Sequence, residues 1–323
     1  MDKYRLIDDE ATIEDKIFYK VPSSNIHIFS SIRQLFNHNY KMSPQKVAVL
    51  TGGNKGIGYA TIKGLCERFD GIVYLTARDV TRGKSAVAKL EKENLKAVFH
   101  QLDIDDQTSV DEFRDFIKKE HGGLDLLINN AAICFWSAAP NPTFEQSLQT
   151  IETNYFGTVR VCEALFPLLR DNAKVVNVSS CEGHLSKIPS ENLRKEFSRK
   201  DLTIPELHKL IEKFLKAVEI ETHREDGWGG STYAVSKVAV SALTFIQQRA
   251  FDEKQPNRNI SINAVYPGFV KTDMTEHHGI LTTKEGAKSS LYAALDTDLK
   301  GKYIWTDCSL VDWYSNQMPN PPY

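Results

Sequence analysis

The sequence predicts an α/β fold, a doubly wound and mostly parallel sheet flanked by helices. Three observations predict it. Short apolar runs of strand length recur between residues 47 and 265 with helical patterns between them, the alternation that builds right-handed βαβ units. A glycine-rich turn joins the first such run to the first helix. The composition, 41% hydrophobic and 25% charged, is that of a globular domain with ample residues for a large core.

The elements follow in order. Residues 47–51 form an apolar run closed by Gly52-Gly53, the pattern of a strand buried on both faces. Residues 57–69 read as a helix, with Ala60, Ile62, Leu65 and Cys66 on one face. Strand two is 72–77, followed by a helix over 81–93 that ends near Asn94. Strand three is 97–102, then a helix over 109–120 and strand four over 124–128. Residues 144–169 read as one long helix and 175–178 as strand five. A helix over 231–251 precedes strand six at 260–265, and 303–305 form a last edge strand.

Several function classes are excluded by composition. Lys plus Arg number 40 against 42 Asp plus Glu, a net charge of −2, which is not the basic footprint of a nucleic-acid binder. The longest tight apolar run, from Ala131 to Trp136, has six residues, far short of the ~18 of a membrane span. Five cysteines, odd in number and without a C-x-x-C pair, read as free thiols of a reducing, cytoplasmic setting. The histidines show no metal-ligand spacing, so no metal is expected. Residues 1–41 hold acids and bases with no apolar core or basic presequence, and are expected to be a flexible extension. Residues 42–310 form the predicted single domain, and 311–323 a C-terminal tail with three prolines.

The turn Gly52-Gly53-Asn54-Lys55-Gly56-Ile57-Gly58 lies between strand and helix. Its glycines let the backbone approach a pyrophosphate whose charge rests on the helix N-terminus. Arg78 stands 20 residues after Gly58, where an NAD site carries an acid for the ribose hydroxyl. With Lys55 it supplies two cations for a 2′-phosphate, while Asp79 leaves an NAD reading open. Tyr233 and Lys237 are four apart and share a helix face. An ammonium beside a phenol favours phenolate and brings its pKa toward the working range of an acid-base catalyst. Alone, such a pair is an ordinary feature of an amphipathic helix.

The ordered set T-G-x-x-x-G-I-G, Asn129-Asn130-Ala131, Ser179-Ser180, Tyr233-x-x-x-Lys237 and Pro267-Gly268 resembles the short-chain dehydrogenase/reductase family. Leu75-Thr76-Ala77-Arg78-Asp79 and His100-Gln101-Leu102-Asp103 bring it nearest to that family's monomeric NADPH-dependent carbonyl reductases. The resemblance implies a Rossmann fold and NADPH or NADP as cofactor. It also implies a catalytic set of Ser180, Tyr233 and Lys237, with Asn154 holding a water in a proton relay to Lys237. Ser180 is chosen over Ser179 because the family's serine lies three residues after the strand asparagine, here Asn177. Cofactor contacts are implied for Gly52, Asn54, Lys55, Gly56, Ile57, Gly58 and Arg78. Asp103 and Ile104 would face the adenine, Asn130 the ribose, and Pro267, Gly268, Val270 and Thr272 the nicotinamide side. Ala132 departs from the family's usual glycine. The interval from Ser180 to Tyr233, 53 residues, is much longer than in classical members. Within it Leu207, Leu210, Ile211, Phe214, Leu215 and Val218 make one apolar helix face. The resemblance implies that this helical insertion, about residues 184–228, covers the pairing surface and leaves a monomer. Phe135, Trp136, Trp228 and Phe269 are expected to line an aromatic substrate pocket.

The expected function is reduction of ketones, aldehydes or quinones by hydride transfer with tyrosine as proton donor. The same machinery admits an NADP-linked alcohol or hydroxy-lipid dehydrogenase working in the oxidative direction. A cofactor-binding interaction protein is a third reading, in which the N-terminal extension meets a partner.

Overall fold

A computed structural model describes residues 45–135 and 143–322, and the chain from Lys46 onward forms one compact unit. The expected extension over residues 1–41 and the expected pocket residue Trp136 lie outside the described residues. The described strands are β1 (Lys46–Thr51), β2 (Gly71–Ala77), β3 (Val98–Gln101), β4 (Leu124–Asn129), β5 (Leu169–Val178), β6 (Ser261–Val265), β7 (Tyr303–Ile304) and β8 (Leu310–Val311). They form one sheet in the order β3-β2-β1-β4-β5-β6-β7-β8, parallel throughout except for antiparallel β8.

Both faces of the sheet are covered, which is why its strands read as unbroken apolar runs. Side chains alternate across a strand. Ala48 and Leu50 pack with Ile62, Leu65 and Leu90 of helices α1 (Gly56–Arg68) and α2 (Val80–Lys92). Val47 and Val49 pack on the other side with Phe113, Ile117 and Val161, from α3 (Gln107–His121) and α5 (Thr158–Leu165). The strand order reverses between β1 and β4, and ligands bind at such a switch, outside the carboxyl ends of the strands.

Residues 144–169 are not one helix. Helix α4 (Phe144–Ile151) passes into a π turn at Glu152–Gly157, then α5, then a short 3₁₀ turn at Phe166–Leu168. Pro167 cannot continue an α-helical ladder, and β5 begins immediately after, six residues earlier than the apolar run 175–178 suggests. The lead-in Leu169–Lys174 carries polar residues, and the β4–β5 register shifts there.

The insertion contains α6 (Glu191–Phe197) and α7 (Ile204–Glu219). Helix α7 starts on a capping box between Thr203 and Glu206, with Pro205 in its first turn, where a missing N–H is harmless. Its apolar face, Leu207, Leu210, Ile211, Phe214 and Val218, is buried against α4 and the long helix α8 (Thr232–Lys254). Leu215 sits at the edge, partly buried.

The segment set apart as a tail is part of the body of the fold. Beyond β8, Trp313 is buried in the same cluster as α7 and α8. Its indole Nε1 donates to Gly183 O at 2.6 Å. A tryptophan near a chain end carries no periodicity, so its burial has no local sequence mark. Among the described residues, no helix is long and apolar enough to cross a membrane.

Candidate active site

The glycine loop sits at the carboxyl end of β1. Gly52 and Gly56 adopt φ of +69° and +58°, the left-handed region that side chains disfavour. At Gly58 a Cβ would come within 2.4 Å of Gly52 O, so α1 lies directly on the loop. At Gly56 a Cβ would project toward the Thr272 methyl at 3.4 Å, into the space between this loop and the segment after β6. Ile57, next along the loop, reaches the cavity described below. These features fit a dinucleotide cradle.

Asn130 closes the loop from the side of β4. Its Nδ2 donates to Thr51 O and Gly52 O at 2.9 and 3.1 Å, and its backbone N–H donates to Thr51 Oγ1 at 3.0 Å. Its side-chain amide thus fixes the shape of the loop. Arg78, at the end of β2, is exposed. The neighbouring Asp79 accepts from Arg82 N at 2.8 Å and caps α2, which occupies the acid on which an NAD site would rely. Lys55 lies 2.7 Å from Asp273, a partner the sequence does not suggest. Asp103 accepts from Asp105 N at 3.1 Å, a turn cap, and buried Ile104 receives Arg160 at its carbonyl.

Lys237 and Tyr233 lie in the first turns of α8, whose N-cap Ser231 accepts from Ala234 N. Lys237 is 4% exposed. Its ammonium donates to Val178 O at 2.8 Å and stands 5.7 Å from the centre of the Tyr233 ring. Burial pulls the Lys237 pKa down to about 8, opposed by Cys134. Burial pushes the Tyr233 phenol well above its ordinary range, and a hydrogen bond with Ser180 opposes the rise. The ammonium stands beside the ring, as the helical spacing implies, and burial is the largest influence on the phenol.

The two serines after β5 separate by role. Ser179 Oγ meets Ser241 Oγ at 2.8 Å and donates to Lys237 O at 3.2 Å, inside the junction with α8. Ser180 Oγ accepts from Glu182 N at 3.2 Å and faces Tyr233. Tyr303 of β7 donates its hydroxyl to Ser180 O. Asn154 stands within the π turn, 1% exposed. Its Oδ1 accepts from Ile133 N at 2.8 Å, and its Nδ2 donates to Ile133 O at 2.9 Å and Ser236 Oγ at 3.0 Å. Asn154 thus ties the segment beyond Asn130 to α8; among the described residues its hydrogen bonds go to Ile133 and Ser236, and the Lys237 ammonium bonds Val178 O instead.

A cavity of about 600 Å³ joins these parts. Ser180, Tyr233, Phe135, Phe269 and the segment Pro267–Gly268 with Val270 and Thr272 all line it. Gly268 has φ of +96°. Trp228 is a correction: it is 1% exposed and packs against Phe197 and Phe214, with ring centres 6.2 and 5.5 Å away. Helices α6 and α7 close over it, making it core of the insertion and not wall of the cavity. The cavity instead gains Cys134, Tyr266 and Pro321. Tyr266 could have been found from its place beside Pro267-Gly268; Pro321 and Asp273 carry no local signal.

The short chain dehydrogenase family model matches residues 46–190. Carbonyl reductase (NADPH) 3 of Mus musculus is 45% identical over 255 residues, 78% of this chain and 92% of that protein. Carbonyl reductase (NADPH) 1 of Homo sapiens is 45% identical over 250 residues, 77% of this chain and 90% of that protein. Among solved structures, salutaridine reductase from Papaver somniferum superposes with a TM-score of 0.73 at 31% identity, covering 82% of this chain and 100% of that one.

Proposed function

The chain belongs to the short-chain dehydrogenase family, and on that premise we propose that it reduces carbonyl compounds (ketones, aldehydes and quinones) to alcohols with NADPH. The single observation that carries the reading is the meeting of Ser180, Tyr233 and the glycine-loop residue Ile57 around one cavity at the carboxyl edge of the sheet. NADPH supplies the hydride. The residues that would hold it are the glycine loop from Gly52 to Gly58 with Lys55, together with Arg78, Asp103, Ile104, Asn130 and the segment from Pro267 to Thr272.

In this reading Ser180 Oγ donates a hydrogen bond to the carbonyl oxygen and stabilises the charge that develops there. Tyr233 gives that oxygen its proton. In reduction the phenol gives up its proton, and in alcohol oxidation the same group would take one up. Lys237 is a buried cation held by Val178 O, so its field acts on Tyr233 with little solvent screening. Phe135, Phe269 and Tyr266 offer apolar surface to the substrate.

Two further expectations belong here. The apolar face of α7 is used within the chain against α4 and α8, which supports a monomer; sedimentation as a stable dimer at micromolar concentration would overturn it. All five cysteines are free thiols, which supports a reducing, cytoplasmic location.

The test of function is NADPH oxidation followed over a panel of quinones, ketones and aldehydes. Turnover with several members, and far less with NADH, is the expected result. No turnover with any member would overturn the reading.

A further inference from the structure

The last turn of the chain returns to the active site. Trp313 anchors it: 2% exposed, with its ring 5.0 Å from that of Phe245 and its indole N–H on Gly183 O. His184 Nε2 donates to Asp312 O at 3.0 Å. Gly183 and His184 belong to the turn that follows Ser180. After Trp313 the chain makes side-chain-capped turns, Asp312 Oδ1 accepting from Tyr314 N at 3.0 Å and Ser315 Oγ from Gln317 N at 3.2 Å. Met318 then packs against the buried cluster under α7 and α8. Pro321 borders the cavity that holds Ser180 and Tyr233.

We propose that this C-terminal segment is a wall of the substrate site, with Pro321 a residue that determines which carbonyl compounds fit. The proposal rests on the reductase reading above and narrows it. Three prolines, Pro319, Pro321 and Pro322, fix the backbone and remove N–H donors. The wall is therefore stiff and apolar, and it offers a substrate no N–H donor from those three positions. It is held at Trp313 and Met318 and meets the cavity just beyond, so it limits the length of a substrate while adding contact area for a short one. The site favours compact, apolar carbonyl compounds.

The test compares the full chain, Pro321→Ala, and a chain ending at Met318, using acetophenone and the longer 2-acetylanthracene with NADPH. For the chain ending at Met318, the ratio of kcat/KM for the long ketone over the short one should rise by about tenfold, as expected for loss of some tens of Å² of apolar contact and of a steric limit. Pro321→Ala should move the ratio in the same direction by a smaller factor. NADPH affinity, read by fluorescence titration, and melting temperature should stay unchanged. An unchanged ratio in both variants, or a ratio that moves only together with NADPH affinity, overturns the proposal. Failure of the full chain to reduce either ketone or any panel member overturns the reductase reading, and the wall with it.

Discussion

Lys55 on the glycine loop and Asp273 on the segment after β6 form an ion pair of 2.7 Å between residues 218 apart in the chain. Asp273 also faces His277 at 3.5 Å. A lysine held there is turned toward the segment that follows Pro267-Gly268, so in the proposed reading Asp273 would compete with a cofactor 2′-phosphate for the same ammonium. Both side chains are well exposed, and such pairs contribute about 0–1 kcal/mol. Asp273→Asn should therefore tighten NADPH by at most ~5-fold and leave NADH unchanged. Titration of both cofactors against this variant gives the answer, and equal tightening of the two would refute the competition.

In the proposed reading Arg78 is then the main cation for the 2′-phosphate. A guanidinium fork matches phosphate geometry, and one charge-assisted hydrogen bond is worth about 1.5–3 kcal/mol, or ~10–10² in the preference for NADPH over NADH. Arg78→Asp should reduce that preference by at least this factor and place an acid beside the ribose hydroxyl. The ratio of kcat/KM with the two cofactors is the measurement; an unmoved ratio would remove Arg78 from the site.

Tyr233→Phe removes the proposed proton donor while keeping the ring against the cavity. Turnover should fall by at least ~10², as for loss of a general acid, with NADPH affinity retained. Near-normal reduction by this variant would show that the proton comes from elsewhere.

Lys237 links activity and stability to pH in opposite senses. Its ammonium is needed for the proposed catalysis, so kcat/KM for reduction should be level below pH about 8 and decline above it, following the residue's lowered pKa. For stability the folded pKa lies below the unfolded value of 10.5. Between these two values the unfolded chain binds the proton that the folded chain has released, so this group makes stability rise with pH in that window. Below pH 8 the buried charge costs about 3 kcal/mol. Part of that is returned to Lys237→Met, which should melt no lower than the wild type at pH 7 while losing reductase activity. A variant markedly less stable would show that the bond to Val178 O outweighs the desolvation.

Trp228→Ala is expected to act on the fold and not on substrate choice. Removing a buried tryptophan packed between Phe197 and Phe214 should destabilise by about 3–5 kcal/mol, seen as a lower denaturant midpoint. Substrate KM values in the surviving folded protein should stay near those of the wild type. A selective rise in KM with unchanged stability would return Trp228 to the pocket.

What was legible in the sequence follows the reach of local physics. Strands β1, β2 and β4 are apolar runs because both faces are covered, and their bounds differ from expectation by a residue or so. Gly52 and Gly56 are read from the turn itself, since their left-handed backbone demands glycine. Tyr233 and Lys237 share a face by helical spacing alone. The π turn at Asn154 was hidden because its residues suit an α-helix equally well, and the distinction depends on Ile133 meeting Asn154 from outside the helix. Trp228 was misplaced because an aromatic residue suits a core or a pocket, and only the closure of α6 and α7 decides. Asp273 and Pro321 meet Lys55 and the cavity through tertiary structure, which no short window contains.

The Ser180–Gly183 turn is gripped by Tyr303, 123 residues on from Ser180, and by Trp313, 130 residues on from Gly183. Domains generally fold as units, earlier segments first, as the chain is synthesised at about 5–20 residues per second. The glycine loop and the first strands leave the ribosome long before these two clamps exist. A nascent chain can therefore assemble its nucleotide cradle early, while the turn that carries Ser180 gains both clamps only after synthesis has passed residue 313. A chain stopped before residue 303 would carry the cradle residues but lack both grips on the Ser180 turn.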